Sequence, residues 1–283
     1  MQLIDLALAA IGSAIIDGIS EVHYTLDCLS SPDRMFKIVD RALEVRLGGK
    51  RKSKDPSQAY RHRLRAPRQI LDFIESSRLP SRTRLETRRL FLVCVCAAFE
   101  SFWRDAIRIM VKSIGISEAL KRSLAKQSFS LAELGDVFGR KLTIPELVAC
   151  SYTFQHPDVV NKALSDVLSI DAFAEFKKAK FEIVEVPRKN RKPGKPLSRT
   201  NVTGEFALKG LNLIERCFSI RHETVHHVGH KHQPSARDVN LMENAVWTFN
   251  EFFWMFASNR GRDVRRQSNN RLQPTRGQKA ARG

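Results

Sequence analysis

The stretch Ile220-Arg221-His222-Glu223-Thr224-Val225-His226-His227-Val228-Gly229-His230-Lys231-His232 holds five of the chain's eight histidines. Imidazole titrates near neutral pH, so it both ligates metals and moves protons. Two chemistries fit these residues. In the first, His222 and His226 lie one helical turn apart and face one metal ion. Glu223 between them activates the bound water, and Gly229 breaks the helix so that His232 returns as a third ligand. In the second, Arg221 holds a phosphate through two N–H groups and neutralises the charge growing on it. His226 then takes a proton from an RNA 2′-hydroxyl or returns one to the departing 5′-oxygen. His222 orients the phosphate or supplies the second proton-transfer group. A plainer possibility is a solvated helix end whose cations suit the C-terminal dipole.

Each chemistry has a family resemblance. His222-Glu-x-x-His226-x-x-Gly229-x-x-His232 resembles the metzincin zinc peptidases, with zinc as the implied cofactor. Those enzymes place this helix after a twisted sheet, whereas residues 82–180 read as helices here. Thr224 stands where they carry a bulky apolar residue, and Met242 and Met255 fall within a helix pattern instead of a Met turn.

Arg221-His222-x-x-x-His226 resembles the R-x4-6-H signature of the HEPN superfamily, within it the RiboL-PSP-HEPN and MAE-type groups. Residues Leu211 to His226 look like the HEPN motif helix. Ser235 to Ser258 looks like its closing helix, and Leu90 to Val111 like its apolar first core helix. The resemblance covers residues 82–258. It implies an all-α fold and a metal-independent endoribonuclease without a cofactor, of the kind found among toxins and anti-phage effectors. It also implies RNA as partner, a symmetric homodimer with a composite active site, and an antitoxin or other regulatory partner. Some members keep the fold and only bind, which leaves a non-catalytic RNA-binding module as an alternative.

The elements that must hold these residues read as helices. Pro80-Ser81 opens a long run to about Ser113, with Leu90–Phe99 apolar all round, as in a buried central helix. Glu100 is an unexpected charge within it. A buried carboxylate needs a partner, and pairing with Arg221 or His226 would make it part of the site. Shorter helices are expected at 117–126, 130–139, 143–153, 157–168 and 170–180, with Thr143-Ile-Pro-Glu146 as a capping box. A helix over 205–228 ends at Gly229. Ser235 and Asp238 open the last one, where Val239, Met242, Val246, Phe249, Phe253 and Phe256 form one core-facing stripe. Trp247, Phe252 and Trp254 lie off it, available to a dimer interface. Residues 3–20 and 33–47 read as N-terminal helices, and no strand series is evident.

The net charge is +18, which favours polyanion partners. It is concentrated in three polar segments. Residues 48–68 carry eight Lys or Arg against one Asp, residues 185–203 six against one Glu, and residues 259–283 eight against one Asp. Lys50, Arg51, Lys52, Arg188, Lys189, Arg191 and Lys192 are therefore the candidate RNA-phosphate contacts. The organisation expected is an N-terminal helical segment with a basic loop at 1–80, a helical bundle at 81–258, and a disordered basic tail at 259–283. Five cysteines, an odd number without a disulfide frame, suit a reducing cytoplasm, and no apolar run is long enough to span a membrane.

Overall fold

The computed structural model describes residues 55–127, 135–137, 139, 142–184, 199–226 and 231–272. The fold is all-α with one small hairpin. In chain order come α1 (Pro56–Ser76), α2 (Ser81–Ile114), α3 (Glu118–Leu124), α4 (Ile144–Cys150), α5 (Pro157–Leu168) and α6 (Ala172–Lys178). Strands β1 (Lys180–Val184) and β2 (Arg199–Thr203) follow, then α7 (Glu205–Leu208), α8 (Leu211–His226) and α9 (Ala236–Leu272). The expected helices at 3–20 and 33–47 and most of that at 130–139 lie outside the described residues. The chain divides into two compact units. Among the described residues, one comprises 55–98 together with those of 216–243; the other comprises those of 99–215 and 244–272.

In the first unit, the expected basic loop is a helix from Pro56 onward. Asp55 accepts a hydrogen bond from the Ser57 backbone at 3.0 Å, and proline at the first helical position has no N–H to leave unsatisfied. Ser57, Tyr60, Leu64, Leu71 and Ile74 then form a buried stripe at three- and four-residue spacing. Pro67 lies inside the helix, at a cost of about 3 kcal/mol. Burying Tyr60, Leu64, Leu71 and Ile74 outweighs it, at about 1.5–3 kcal/mol for each large apolar side chain. Prolines and arginines masked this stripe in the sequence.

The apolar run of α2 is buried as expected, except that Leu90 and Cys94 are half-buried and Ala97 is exposed. The Cys96 and Cys217 sulfurs lie 3.5 Å apart, and the four described cysteines carry no disulfide. In α9, the whole stripe from Val239 to Phe256 is buried.

The second unit is organised around aromatic side chains. Trp103 packs edge-on against Phe249 and Phe253, with ring centroids 6.0 and 5.7 Å away. Its indole N–H donates to Asn250 Oδ1 at 2.8 Å, which satisfies donor and acceptor within the core, while Asn250 Nδ2 has no hydrogen-bond partner among the described residues. The capping box at Thr143 and Glu146 is present with both reciprocal hydrogen bonds. The basic segment 185–203, read as a loop, ends instead in β2, which pairs antiparallel with β1 with Phe181 opposite Val202.

The helix expected over 205–228 is broken by Gly210. A Cβ there would stand 3.0 Å from the Ala245 side chain, so glycine lets α8 begin close against α9. Nor does α9 stop at Ser258: its basic continuation is helical to Leu272, so the segment 259–272 is not the disordered tail expected. Arg260 pairs with Glu175 at 2.6 Å and lies over the Phe256 ring, and Gly261 is buried near Ile114. These tertiary contacts hold a stretch that has no hydrophobic period of its own. Residues 273–283 lie outside the described residues.

Candidate functional site

The histidine-bearing segment belongs to the first unit. Ile220 is fully buried in α8 and Thr224 bonds back to its carbonyl at 2.7 Å, which seats this face inward. The opposite face presents His222 and His226, both exposed, with ring centroids 4.6 Å apart; Arg221 beside them is half-buried. One helical turn therefore does bring the two imidazoles together, as the i and i+4 spacing requires.

Glu223 is held elsewhere. Its Oε1 lies 2.7 Å from His232 Nδ1, and its Oε2 accepts the His232 backbone N–H at 3.2 Å. Only 12% of the Glu223 side chain is exposed, against 34% for His232. The zinc arrangement needs His222, His226 and His232 on one point with Glu223 beside the water. No group of three or more His, Cys, Asp or Glu side chains is placed to hold a metal among the described residues. The alternative zinc set is thus not assembled, because His232 turns its ring onto the would-be base. His227, Gly229 and His230 lie outside the described residues.

Two arginines of α2, absent from the sequence reading, place the 231–235 segment. Arg89, 4% exposed at its side chain, donates to the His232 carbonyl at 2.9 Å and pairs with Glu86 at 2.7 Å. Arg88 grips Glu75 of α1 and reaches the Pro234 carbonyl at 3.4 Å. Ser235 and Asp238 then cap α9 reciprocally, as their spacing predicts. Hydrogen bonds from the Ser235 backbone and hydroxyl, with Arg216 nearby, hold the Asp238 carboxyl below its usual range. Nothing in the sequence signals that positions more than 140 residues apart meet here.

These tethers bring the end of α8, the α1–α2 turn and the start of α9 together at one end of the unit. The described part of the unit carries thirteen Lys or Arg and seven Asp or Glu. Every one of the seven carboxylates is engaged. Asp55 caps α1, Asp72 and Glu243 bind Arg68, Glu75 binds Arg88, Glu86 binds Arg89, Glu223 binds His232, and Asp238 binds Ser235. Arg78, Arg82, Lys231 and Arg237 are exposed at this end and make no ion pair among the described residues. With every described carboxylate of the unit engaged, the charge left over on its described surface is cationic.

Glu100 is 9% exposed and belongs to the second unit, where Arg104, one turn along α2, comes within 3.8 Å of its Oε2. Arg221, His222 and His226 belong to the first. Lys50, Arg51, Lys52, Arg188, Lys189, Arg191 and Lys192 lie outside the described residues. No helix among the described residues is long and apolar enough to cross a membrane. No family model, curated protein or solved structure matches this chain.

Proposed function

We propose that this protein is a metal-independent endoribonuclease of HEPN type that cleaves RNA by attack of the 2′-hydroxyl. The observation that carries this reading is the exposed His222–His226 pair beside Arg221, with the Glu223 carboxylate taken up by His232. Arg221 supplies the charge that stabilises the phosphorane-like transition state, and His226 protonates the leaving 5′-oxygen. His222 steadies the phosphate. Arg78, Arg82, Lys231 and Arg237 bind neighbouring phosphates, which carry affinity without reading sequence. A homodimer that brings two such ends together completes the site, and an inhibitory partner covers it. The test is purified protein incubated with mixed RNA, with and without excess EDTA. New fragments ending in a 2′,3′-cyclic phosphate in both conditions are expected. Intact RNA, or cleavage that EDTA stops, overturns the reading.

A further inference from the structure

The contact between Glu223 and His232 has a shape that neither the zinc string nor the Arg–His signature uses. One carboxylate binds the ring Nδ1 of His232 at 2.7 Å and its backbone N–H at 3.2 Å, so ring and main chain are fixed together. Arg89, almost fully buried, holds the carbonyl of the same residue at 2.9 Å. Three hydrogen bonds to two different side chains thus immobilise a single histidine. A carboxylate at Nδ1 selects the tautomer with its proton there, leaving the Nε2 lone pair on the opposite edge of the ring. No other partner of the His232 ring occurs among the described residues, and about a third of its side chain is open to solvent. His222 and His226, by contrast, are exposed on the helix surface and touch each other.

We infer that His232, oriented by Glu223, is the general base of the site, with Glu223 as a positioning residue. This rests on the ribonuclease reading above and deepens it. In the step, His232 Nε2 takes the 2′-hydroxyl proton as the 2′-oxygen attacks phosphorus. The bond from phosphorus to the 5′-oxygen breaks, and that oxygen receives a proton from protonated His226. The products are a 2′,3′-cyclic phosphate and a 5′-hydroxyl. Exchange with water resets both imidazoles, and no oxidant or metal enters. The Glu223 carboxylate stabilises the imidazolium formed on His232, which gives the glutamate of the HExxH spelling a role without zinc.

The experiment compares full-length wild type, His232→Ala, Glu223→Gln and His226→Ala on oligonucleotides with a single ribonucleotide. One series carries the natural linkage and the other a bridging 5′-sulfur, whose leaving group needs no proton. His232→Ala is expected to lower kcat about a hundredfold or more on both linkages, the range of a lost general base. His226→Ala is expected to recover most of its loss on the sulfur linkage. Glu223→Gln should lower kcat about tenfold with little change in KM, through the loss of orientation and charge at the ring. All three variants should bind a 2′-O-methyl strand as wild type does, which separates a chemical defect from an unfolded one. In wild type, nitrogen-15 spectra should show His232 protonated at Nδ1, and Glu223→Gln should redistribute that proton. Full activity in His232→Ala, or equal rescue of His232→Ala and His226→Ala by sulfur, overturns the inference while the ribonuclease reading stands. Wild-type protein that leaves RNA intact overturns both.

Discussion

Arg88 closes a two-pronged ion pair on Glu75, Nε to Oε1 at 2.6 Å and Nη2 to Oε2 at 2.8 Å. Both side chains are mostly covered, and the fork joins the last turn of α1 to α2. The Arg88 hydrogen bonds hold the Glu75 carboxyl below its usual pKa, against a smaller opposing effect of burial.

That depression sets a pH window. A carboxylate whose folded pKa is lowered contributes stability above its unfolded pKa and loses it as pH falls through the folded value. Glu75→Gln should therefore cost about 1–2 kcal/mol at neutral pH, the scale of a charge-assisted hydrogen-bonded pair, and converge on wild type in strong acid. Urea unfolding at neutral pH and below the carboxylate range checks this; a difference that grows in acid would contradict it.

Arg221→Ala should reduce RNA cleavage about a hundredfold or more, as expected for a lost transition-state charge contact. Because the cations around it are separate, binding of a 2′-O-methyl strand should fall much less. Initial rates and fluorescence anisotropy measured on the same protein distinguish the two effects. A parallel loss of both would make Arg221 a binding residue only.

The double variant Arg78→Glu with Arg82→Glu, and the double variant Lys231→Glu with Arg237→Glu, should each weaken RNA binding and flatten its salt dependence. Each lost phosphate contact removes about one unit from the slope of log K against log salt. Titrations at several salt concentrations read this directly. An unchanged slope would place the RNA elsewhere, on the basic segments at 50–52 and 188–192.

Truncation separates two parts of the C-terminal region. Removing residues 259–283 deletes the Arg260–Glu175 pair and the packing of Gly261 near Ile114, so thermal stability should drop along with RNA affinity. Removing only residues 273–283 should lower affinity at little cost in melting temperature. Differential scanning fluorimetry of both truncations tells them apart; equal stability would show that the helical continuation adds nothing to the fold.

Trp103→Phe removes the donor that satisfies Asn250 Oδ1 in the core of the second unit. An orphaned buried acceptor costs about 1–3 kcal/mol, and the lost ring volume adds to it. Chemical denaturation should show a lower midpoint with an unchanged slope. Wild-type stability would mean that the Asn250 amide has found another partner.

The amino-acid sequence alone determined the helical class, the extent of α2 and α5, the buried stripe of α9 and both capping boxes. These are local: apolar residues repeating every three or four positions and a side chain reaching three residues along the backbone need no distant partner. It likewise determined that Arg221, His222 and His226 share the end of one helix. Tertiary structure alone decided which histidine each neighbour serves. Glu223 faces two chemistries on paper, and only the return of the chain, tied by Arg88 and Arg89 to the carbonyls of Pro234 and His232, gives it to His232. It also made helices of residues 56–76 and 259–272, where prolines and like charges conceal what burial and ion pairs to distant parts of the same chain stabilise. Contacts between residues far apart in the chain have no period, so they leave no pattern to read in the sequence.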